Sequence, residues 1–275
     1  MSSVHLTRVV GPACVQDLGR VGQLVLGLPR GGTLAPARLR ALNLALSNAP
    51  DAAGLEVFGS LILEVAQPTR IAVDGAPVEL VNPGTARVIA AEGRRLRIVA
   101  IEGGIDVPEV LGGRGLLPHA RIGGHEGRWL RTGDVLPLGP HTATGVAPGF
   151  TSSIALPSTP QETLPVRVFP GPQAAALAYM DSLYSATFRL ATTSDRTGVR
   201  LEGSPFELAA RDPRAPSLPL VPGAVQVPPS GLPIILGPDH PVSGGYPVVA
   251  VVAQEALEPL FVAPLGTMLR FVPAG

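Results

Sequence analysis

The feature that most constrains this chain is a rhythm. Short apolar, β-branched runs are broken about every ten residues by glycine, proline or asparagine. Residues 61–65, 70–73, 86–89 and 95–101 are such runs, and Asp74-Gly75, Asn82-Pro83-Gly84 and Glu92-Gly93 are the turn signals between them. Runs this short cannot hold a helix in water, because helix nucleation is costly and needs a longer stretch to be repaid. They can be strands. In residues 95–101, Arg95, Arg97 and Val99 alternate with Leu96, Ile98 and Ala100, which predicts a strand with one wet face. Gly 33 and Pro 31 are many for 275 residues, but they punctuate the apolar runs and form no low-complexity tract. The expected class is mainly β with a few helices (α+β), as barrels or sandwiches.

Helical periodicity occurs in three places. Residues 36–48 carry Leu39, Leu42 and Leu46 on one face, with Thr33 near the cap and Pro36 in the first turn. Residues 173–184 place Leu177, Met180 and Tyr184 on one face, and a shorter helix is expected at 254–260. One good helix among several strands in each half predicts two similar barrel-like units, although no sequence repeat relates them. Residues 139–165 lose the pattern and become rich in Pro, Thr, Ser and Ala. The expected division is therefore an N-terminal half, 1–145, a linker, 146–165, and a C-terminal half, 166–275.

Charge and residue usage exclude several functions. Twenty-one basic residues balance twenty-one acidic ones, so no net field draws the protein to nucleic acid or an anionic membrane. Every basic residue is arginine, so no lysine exists for a Schiff base, a P-loop or covalently attached biotin. The single Cys14 excludes an internal disulfide and reads as a small buried hydrophobe. His5, His119, His125, His141 and His240 fall in no metal-ligand spacing, and no metal site is expected. No nucleophile elbow, Walker A motif or dinucleotide fingerprint is present. The first ten residues hold no long apolar segment, and no run approaches the ~20 residues of a membrane helix, so a soluble, cytoplasmic protein is expected.

What remains is a set of polar loops rich in glycine. Gln16, Asp17 and Arg20 sit among glycines, as do Asp195, Arg196, Arg200 and Glu202 in residues 192–203. Residues 236–250 place Asp239, His240, Ser243, Gly244, Gly245 and Tyr246 between two apolar runs. Such residues fit solvated ion pairs at turns, and they equally fit planar guanidinium groups aimed at a carboxylate or phosphate. Composition and spacing leave both readings open.

The order of the loops carries more. Val15-Gln16-Asp17-Leu18-Gly19-Arg20-Val21-Gly22, Gly103-Gly104-Ile105-Asp106-Val107-Pro108, Gly124-His125-Glu126-Gly127-Arg128 and Pro170-Gly171-Pro172-Gln173 follow one another in the first two thirds. Ser194-Asp195-Arg196-Thr197-Gly198-Val199-Arg200-Leu201-Glu202-Gly203, Val225-Gln226-Val227-Pro228 and Gly244-Gly245-Tyr246-Pro247 complete the series. From about residue 6 to residue 273 this order resembles the allophanate hydrolase subunit 2 family of biotin-dependent carboxyltransferase-like proteins, and most of all those members that serve as the C-type component of 5-oxoprolinase. The resemblance implies two cyclophilin-like β-barrel units. It implies a hetero-oligomeric, ATP-dependent 5-oxoprolinase that converts 5-oxo-L-proline to L-glutamate and in which this chain is inactive alone. The implied partners are a subunit 1-type protein (the B-type component of 5-oxoprolinase) and the A-type component, with ATP and magnesium bound by the complex.

The site residues follow from the same motifs. Asp239, as a base or water-orienting group, Arg196 and Tyr246 are the expected catalytic residues. Gln16, Asp17, Arg20, Arg200, Gln226, Gly244 and Gly245 are the expected substrate-binding ones, the arginines as anion clamps. Other family members imply two alternatives. One is the carboxyltransferase subunit of a urea- or allophanate-type enzyme whose biotin another chain carries; the other is a non-catalytic partner that regulates the subunit 1-type protein. The chain departs from the family pattern at Ala35, where members carry Asp, and at Pro241-Val242-Ser243, where they carry Gln-Thr-Thr.

Overall fold

In the computed structural model, which describes residues 2–91, 93–140, 163–177, 180–208 and 216–275, the apolar rhythm becomes strands. Two compact units form. The first comprises Met1–Val21 and Gly31–Ile154, the second Gly22–Arg30 and Ala155–Gly275. The expected linker falls mostly outside the described residues, which resume at 163.

The first unit contains β1 (Ser3–Val10), β2 (Ala13–Gln16), α1 (Pro36–Ala45), β3 (Gly54–Val57), β4 (Ser60–Val65), β5 (Thr69–Val73), β6 (Glu79–Val81), β7 (Arg87–Ala90), β8 (Arg97–Ile101) and β9 (Val135–Pro137). Its strands divide into a four-stranded sheet, β7-β4-β1-β9, and a five-stranded sheet, β2-β3-β8-β5-β6. Alternation in β4 buries Leu61, Leu63 and Val65 and leaves Ser60, Ile62 and Glu64 half-buried. These leucines join Val4 and Leu6 from one sheet and Leu55, Ile71 and Val99 from the other in one core.

The wet face expected for β8 is absent. Val99 and Ala100 are both fully buried and Arg97 is half-buried, because β8 lies inside its sheet and α1 packs against it; Arg95 falls before the strand and is buried as well. Helix α1 starts at Pro36 as its sequence predicts, but Ala35 is the cap residue and gives no side-chain bond. Thr33 contributes from two residues before the cap: its Oγ1 accepts from the Ala35 N–H at 3.2 Å and donates to Glu56 at 2.9 Å. The helix ends at Ala45, short of Asn48. Asn48 Nδ2 donates instead to Asn43 Oδ1 and to the Ile101 carbonyl, and its Oδ1 accepts from Gly103 N.

The second unit contains β10 (Leu164–Pro170), α2 (Met180–Ser185), β11 (Thr187–Leu190), β12 (Gly198–Glu202), β13 (Leu218–Pro219), β14 (Ala224–Gln226), β15 (Ile234–Leu236), β16 (Ser243–Gly244), β17 (Val248–Val252), α3 (Gln254–Val262) and β18 (Met268–Pro273). Seven of these strands close a barrel in the order β10-β17-β14-β15-β12-β11-β18, and the parallel pair β10–β18 completes the ring. Phe188 packs against Phe206 and Phe271, with ring centroids 5.4 and 6.0 Å away. The mainly-β expectation therefore holds, with the closed barrel in this unit.

The single helix expected over residues 173–184 does not form. A 3-10 turn spans Ala174–Ala176, Leu177 is extended and bridges Leu208, and α2 begins at Met180. Gln173 is the cause: its N–H donates to the Val248 carbonyl and its Oε1 accepts from the Val248 N–H, which extends the β17 ladder through a side chain. Among the described residues, no helix is long and apolar enough to cross a membrane.

Candidate functional site

The expected site residues fall into three groups. In the first unit, Gln16, Asp17 and Arg20 come together where β2 runs into the following loop, and all three are buried. Arg20 donates from Nε to the Val110 carbonyl at 2.9 Å, and from Nη2 to those of Gly113 at 3.2 Å and Gly115 at 2.8 Å. Asp17 accepts from the N–H groups of Gly19 and Arg114. Gln16 Nε2 donates to the Leu116 carbonyl at 2.9 Å, while its Oε1 is buried with no hydrogen-bond partner among the described residues. These side chains bind the backbone of residues 110–116, about a hundred positions away in sequence.

That loop is built for close approach. A Cβ on Gly115 would come within 2.6 Å of Gln16 Oε1, and one on Gly123, at φ +66°, within 2.1 Å of the Gly115 carbonyl. Leu111, Arg121 and Glu126 also adopt positive φ, a conformation that costs a substituted residue about 1 kcal/mol or more. Beyond them, Arg128 forms two 2.8 Å bonds to the Asp134 carboxylate, and the Arg131 N–H adds a third. Burial alone would push the Asp134 carboxyl up, but these hydrogen bonds outweigh it and hold it below its usual range.

In the second unit, the sequence-distant Arg196 and Asp239 form one bidentate pair. Arg196 Nε donates to Asp239 Oδ2 at 2.8 Å and Nη2 to Oδ1 at 3.0 Å, and each residue is 4% exposed. Gly237 permits the approach, since a Cβ there would lie 2.2 Å from the Arg196 carbonyl. The neighbouring His240 is 1% exposed, with Nδ1 2.8 Å from the Pro241 carbonyl. Burial lowers its pKa below the usual imidazole value against smaller raising effects of that carbonyl and of Asp239, so the ring is neutral at pH 7.

The third group is assembled by strand register. Arg200 on β12 pairs with Ile234 on β15, Ile234 with Gln226 on β14, and Gln226 with Val248 on β17. Paired residues share a sheet face, so these four form a row across the barrel wall. Val199, Ile235 and Val225, one position away, are fully buried and form the row that faces inward. The segment after β15 then crosses the outer wall, where Ser243 and Gly244 pair with Pro219 and Leu218. Gln226 Nε2 donates to the Tyr246 carbonyl at 3.3 Å, and Gly244 fits over that amide because a Cβ would sit 3.1 Å from Nε2.

Register thus sets Arg200 and Gln226 on one face of the barrel wall, and Gln226 in turn meets Gly244 and the Tyr246 carbonyl, with Gly245 between them in sequence, while Arg196 and Asp239 pair with each other. Arg200 is exposed, and among the described residues its guanidinium has no hydrogen-bond or ion-pair partner. Tyr246 is 46% exposed. Arg200 offers an exposed cation and Tyr246 a phenolic side chain open to solvent, whereas both oxygens of Asp239 are already engaged. Sequence reasoning passed over Gln173 as a site residue, though it fixes Val248 at the end of the row; the signal was Pro170-Gly171-Pro172-Gln173. It also passed over residues 110–116, whose signal was the density of Gly112, Gly113 and Gly115.

Comparison with known proteins gives this arrangement a context. The family described as "Carboxyltransferase domain, subdomain A and B" matches residues 26–273. The chain is 32% identical over 276 residues to the C-type component of 5-oxoprolinase from Escherichia coli (strain K12), covering 94% of this chain and 87% of that protein. It is 30% identical to urea amidolyase of Lachancea kluyveri, covering 94% of this chain but 16% of that protein. Among solved structures, the Kluyveromyces lactis urea carboxylase superposes with a TM-score of 0.86 at 25% identity, covering 99% of this chain and 27% of that one. The chain therefore spans only a fraction of the length of the last two proteins.

Proposed function

The chain belongs to the carboxyltransferase domain family, subdomains A and B, and from that premise we propose that it is one subunit of a hetero-oligomeric, ATP-dependent 5-oxoprolinase converting 5-oxo-L-proline to L-glutamate. The observation that carries this reading is one of length. The match to the Escherichia coli 5-oxoprolinase component takes in 94% of this chain and 87% of that relative, so the two correspond nearly end to end. The B-type and A-type components would supply the rest of the site, and the complex would bind ATP with magnesium.

The chemistry suits an anion-binding row. A lactam is a poor electrophile because its nitrogen lone pair is delocalised into the carbonyl. When the lactam oxygen accepts the γ-phosphoryl group of ATP, ADP leaves and the ring carbon becomes open to water. Water adds, the carbon–nitrogen bond breaks with the proton passing to nitrogen to leave γ-glutamyl phosphate, and a second water hydrolyses that acyl phosphate to glutamate and phosphate. Negative charge builds on oxygen and phosphoryl along this path. Arg200 would hold an anionic group of the substrate or phosphoryl intermediate, and Tyr246 would donate a hydrogen bond to it. Gln226 would position the Tyr246 backbone, and Gly244 and Gly245 would let substrate approach the main chain.

Asp239 and Arg196 take a different part in this proposal from the base and clamp expected of them. A carboxylate with both oxygens on a buried guanidinium is a weak base, so the pair positions residues 237–247 and leaves the chemistry to the row. Gln16, Asp17 and Arg20 likewise shape residues 110–116. A second reading, the carboxyltransferase part of a biotin-dependent enzyme, is favoured by the 30% identity to urea amidolyase. It requires a carrier chain, since no lysine is available here to hold biotin.

Mixing the purified chain with its B-type and A-type partners tests the proposal. ATP-dependent glutamate release, absent from each component alone, is the expected result. Labelled carboxyl transfer from carboxybiotin in place of glutamate release would select the second reading.

A further inference from the structure

We infer that Gln173 is a positioning residue whose side chain locks the register of the segment carrying Gly244, Gly245 and Tyr246; its effect on catalysis rests on the function proposed above. The lock is needed because β14 and β17 pair with a bulge. Val225 stands opposite Ala250, and Gln226, the next residue, stands opposite Val248, so Val249 is an extra residue in β17. A slip of one residue would restore even pairing, bring Val249 opposite Gln226 and turn the side chains before it to the other face. Gln226 would then lose the Tyr246 carbonyl, which its Nε2 holds at 3.3 Å.

The other side of β17 shows what prevents the slip. Strand β10 pairs Val168, Phe169 and Pro170 with Val252, Val251 and Ala250, and the Gly171 N–H then donates to the Val249 carbonyl at 2.8 Å. Only glycine passes there, since a Cβ on Gly171 would lie 2.4 Å from the Val248 carbonyl oxygen. Pro172 has no N–H, so the next donor is Gln173, which gives its N–H to the Val248 carbonyl at 3.0 Å. The Gln173 carbonyl does not return the bond. It faces the 3-10 turn and accepts from Ala176 at 2.9 Å. Side-chain Oε1 takes its place and accepts the Val248 N–H at 2.8 Å. Val248 is buried, so without Oε1 the bulged register would strand a donor away from water, and a slip would relieve it.

Hydrogen–deuterium exchange on the full chain alone tests the lock without any activity. Gln173→Leu should speed exchange in residues 243–248 about tenfold or more, with β11 and β12 exchanging as in the native chain. Gln173→Glu, which keeps an acceptor oxygen at the same reach, should exchange as the native chain does. The catalytic part is read in the assembled mixture. Gln173→Leu should lower kcat about tenfold and leave KM within about twofold, because β12 holds Arg200 without pairing to β17. In a Tyr246→Phe chain the same substitution should cost less than about twofold more, since the residue it positions is already disabled. A residue that merely stabilised the barrel would cost the same in both chains. The inference is overturned if Gln173→Leu leaves exchange at 243–248 unchanged, if Gln173→Glu loosens it equally, or if the tenfold loss recurs in full with Tyr246→Phe. Should the native mixture release no glutamate, the proposed function fails and the exchange result alone decides the lock. Gln173→Asn, too short to reach Val248, replaces Gln173→Leu if that chain does not fold.

Discussion

Two aspartate–arginine combinations look alike in the sequence, Asp17 with Arg20 and Asp239 with Arg196, and the fold uses them differently. Arg20 gives its N–H groups to three backbone carbonyls, and Asp17 takes two backbone N–H groups. Charge there shapes a loop. Arg196 and Asp239 instead close on each other in a bidentate pair between two segments 43 residues apart. Charge there fastens chain to chain. A polar side chain in a glycine-rich loop can thus have its capacity consumed by the fold, whereas Arg200 is exposed and is the cation we propose for the chemistry.

Substitutions can break this comparison. The largest expected effect comes from the bidentate pair. Arg196→Met leaves Asp239 buried without its partner and should cost about 3–5 kcal/mol in urea unfolding. Joint replacement, Arg196→Met with Asp239→Leu, should recover most of that loss, because a buried ion pair is worth little more than well-packed apolar groups. The Asp17 cluster should behave otherwise. Asp17→Ala strands the N–H groups of Gly19 and Arg114 and should cost about 2 kcal/mol. Adding Arg20→Met should worsen it, since three carbonyls then lose their donor.

A smaller effect is expected from pH. His240 has its pKa lowered in the fold, chiefly by burial, so the unfolded chain binds a proton that the folded one refuses. Its contribution is present above the unfolded value near 6.5 and is lost as pH falls through that value toward the lower folded one. The stability difference between the native chain and His240→Gln, followed by thermal melts from pH 8 to pH 5, should shrink on acidification. A difference that grew on acidification would contradict a neutral buried ring. The smallest effect on stability should come from Arg200→Gln and Tyr246→Phe, each within about 0.5 kcal/mol, because both side chains are exposed.

Much of this fold was legible. Strand rhythm marked β4, β5, β7 and β8, and Pro36 marked the start of α1, because these are local signals of burial and backbone geometry. Illegible features depended on partners distant in sequence. Asn48 stops α1 by bonding to Ile101 and Gly103, and Gln173 leaves its helix by bonding to Val248. Arg95 lies before β8 and is buried, which the alternation read over residues 95–101 could not reveal. Motif order located the polar loops, but only barrel register puts Arg200 and Gln226 in one row, across Ile234. Nothing in the spacing of Arg196 and Asp239 separates a pair that holds the fold from one that meets a substrate.

The central claim of the proposal is that Arg200, Gln226 and Tyr246 act within an assembled 5-oxoprolinase. The most direct test is glutamate release from 5-oxo-L-proline by the three mixed components, with and without ATP, using the native chain and Arg200→Gln side by side. ATP-dependent release by the native mixture, and a fall of about a hundredfold with a folded, still-associating Arg200→Gln, is the predicted result. Equal release by both chains, or none from a properly assembled native mixture, would contradict it.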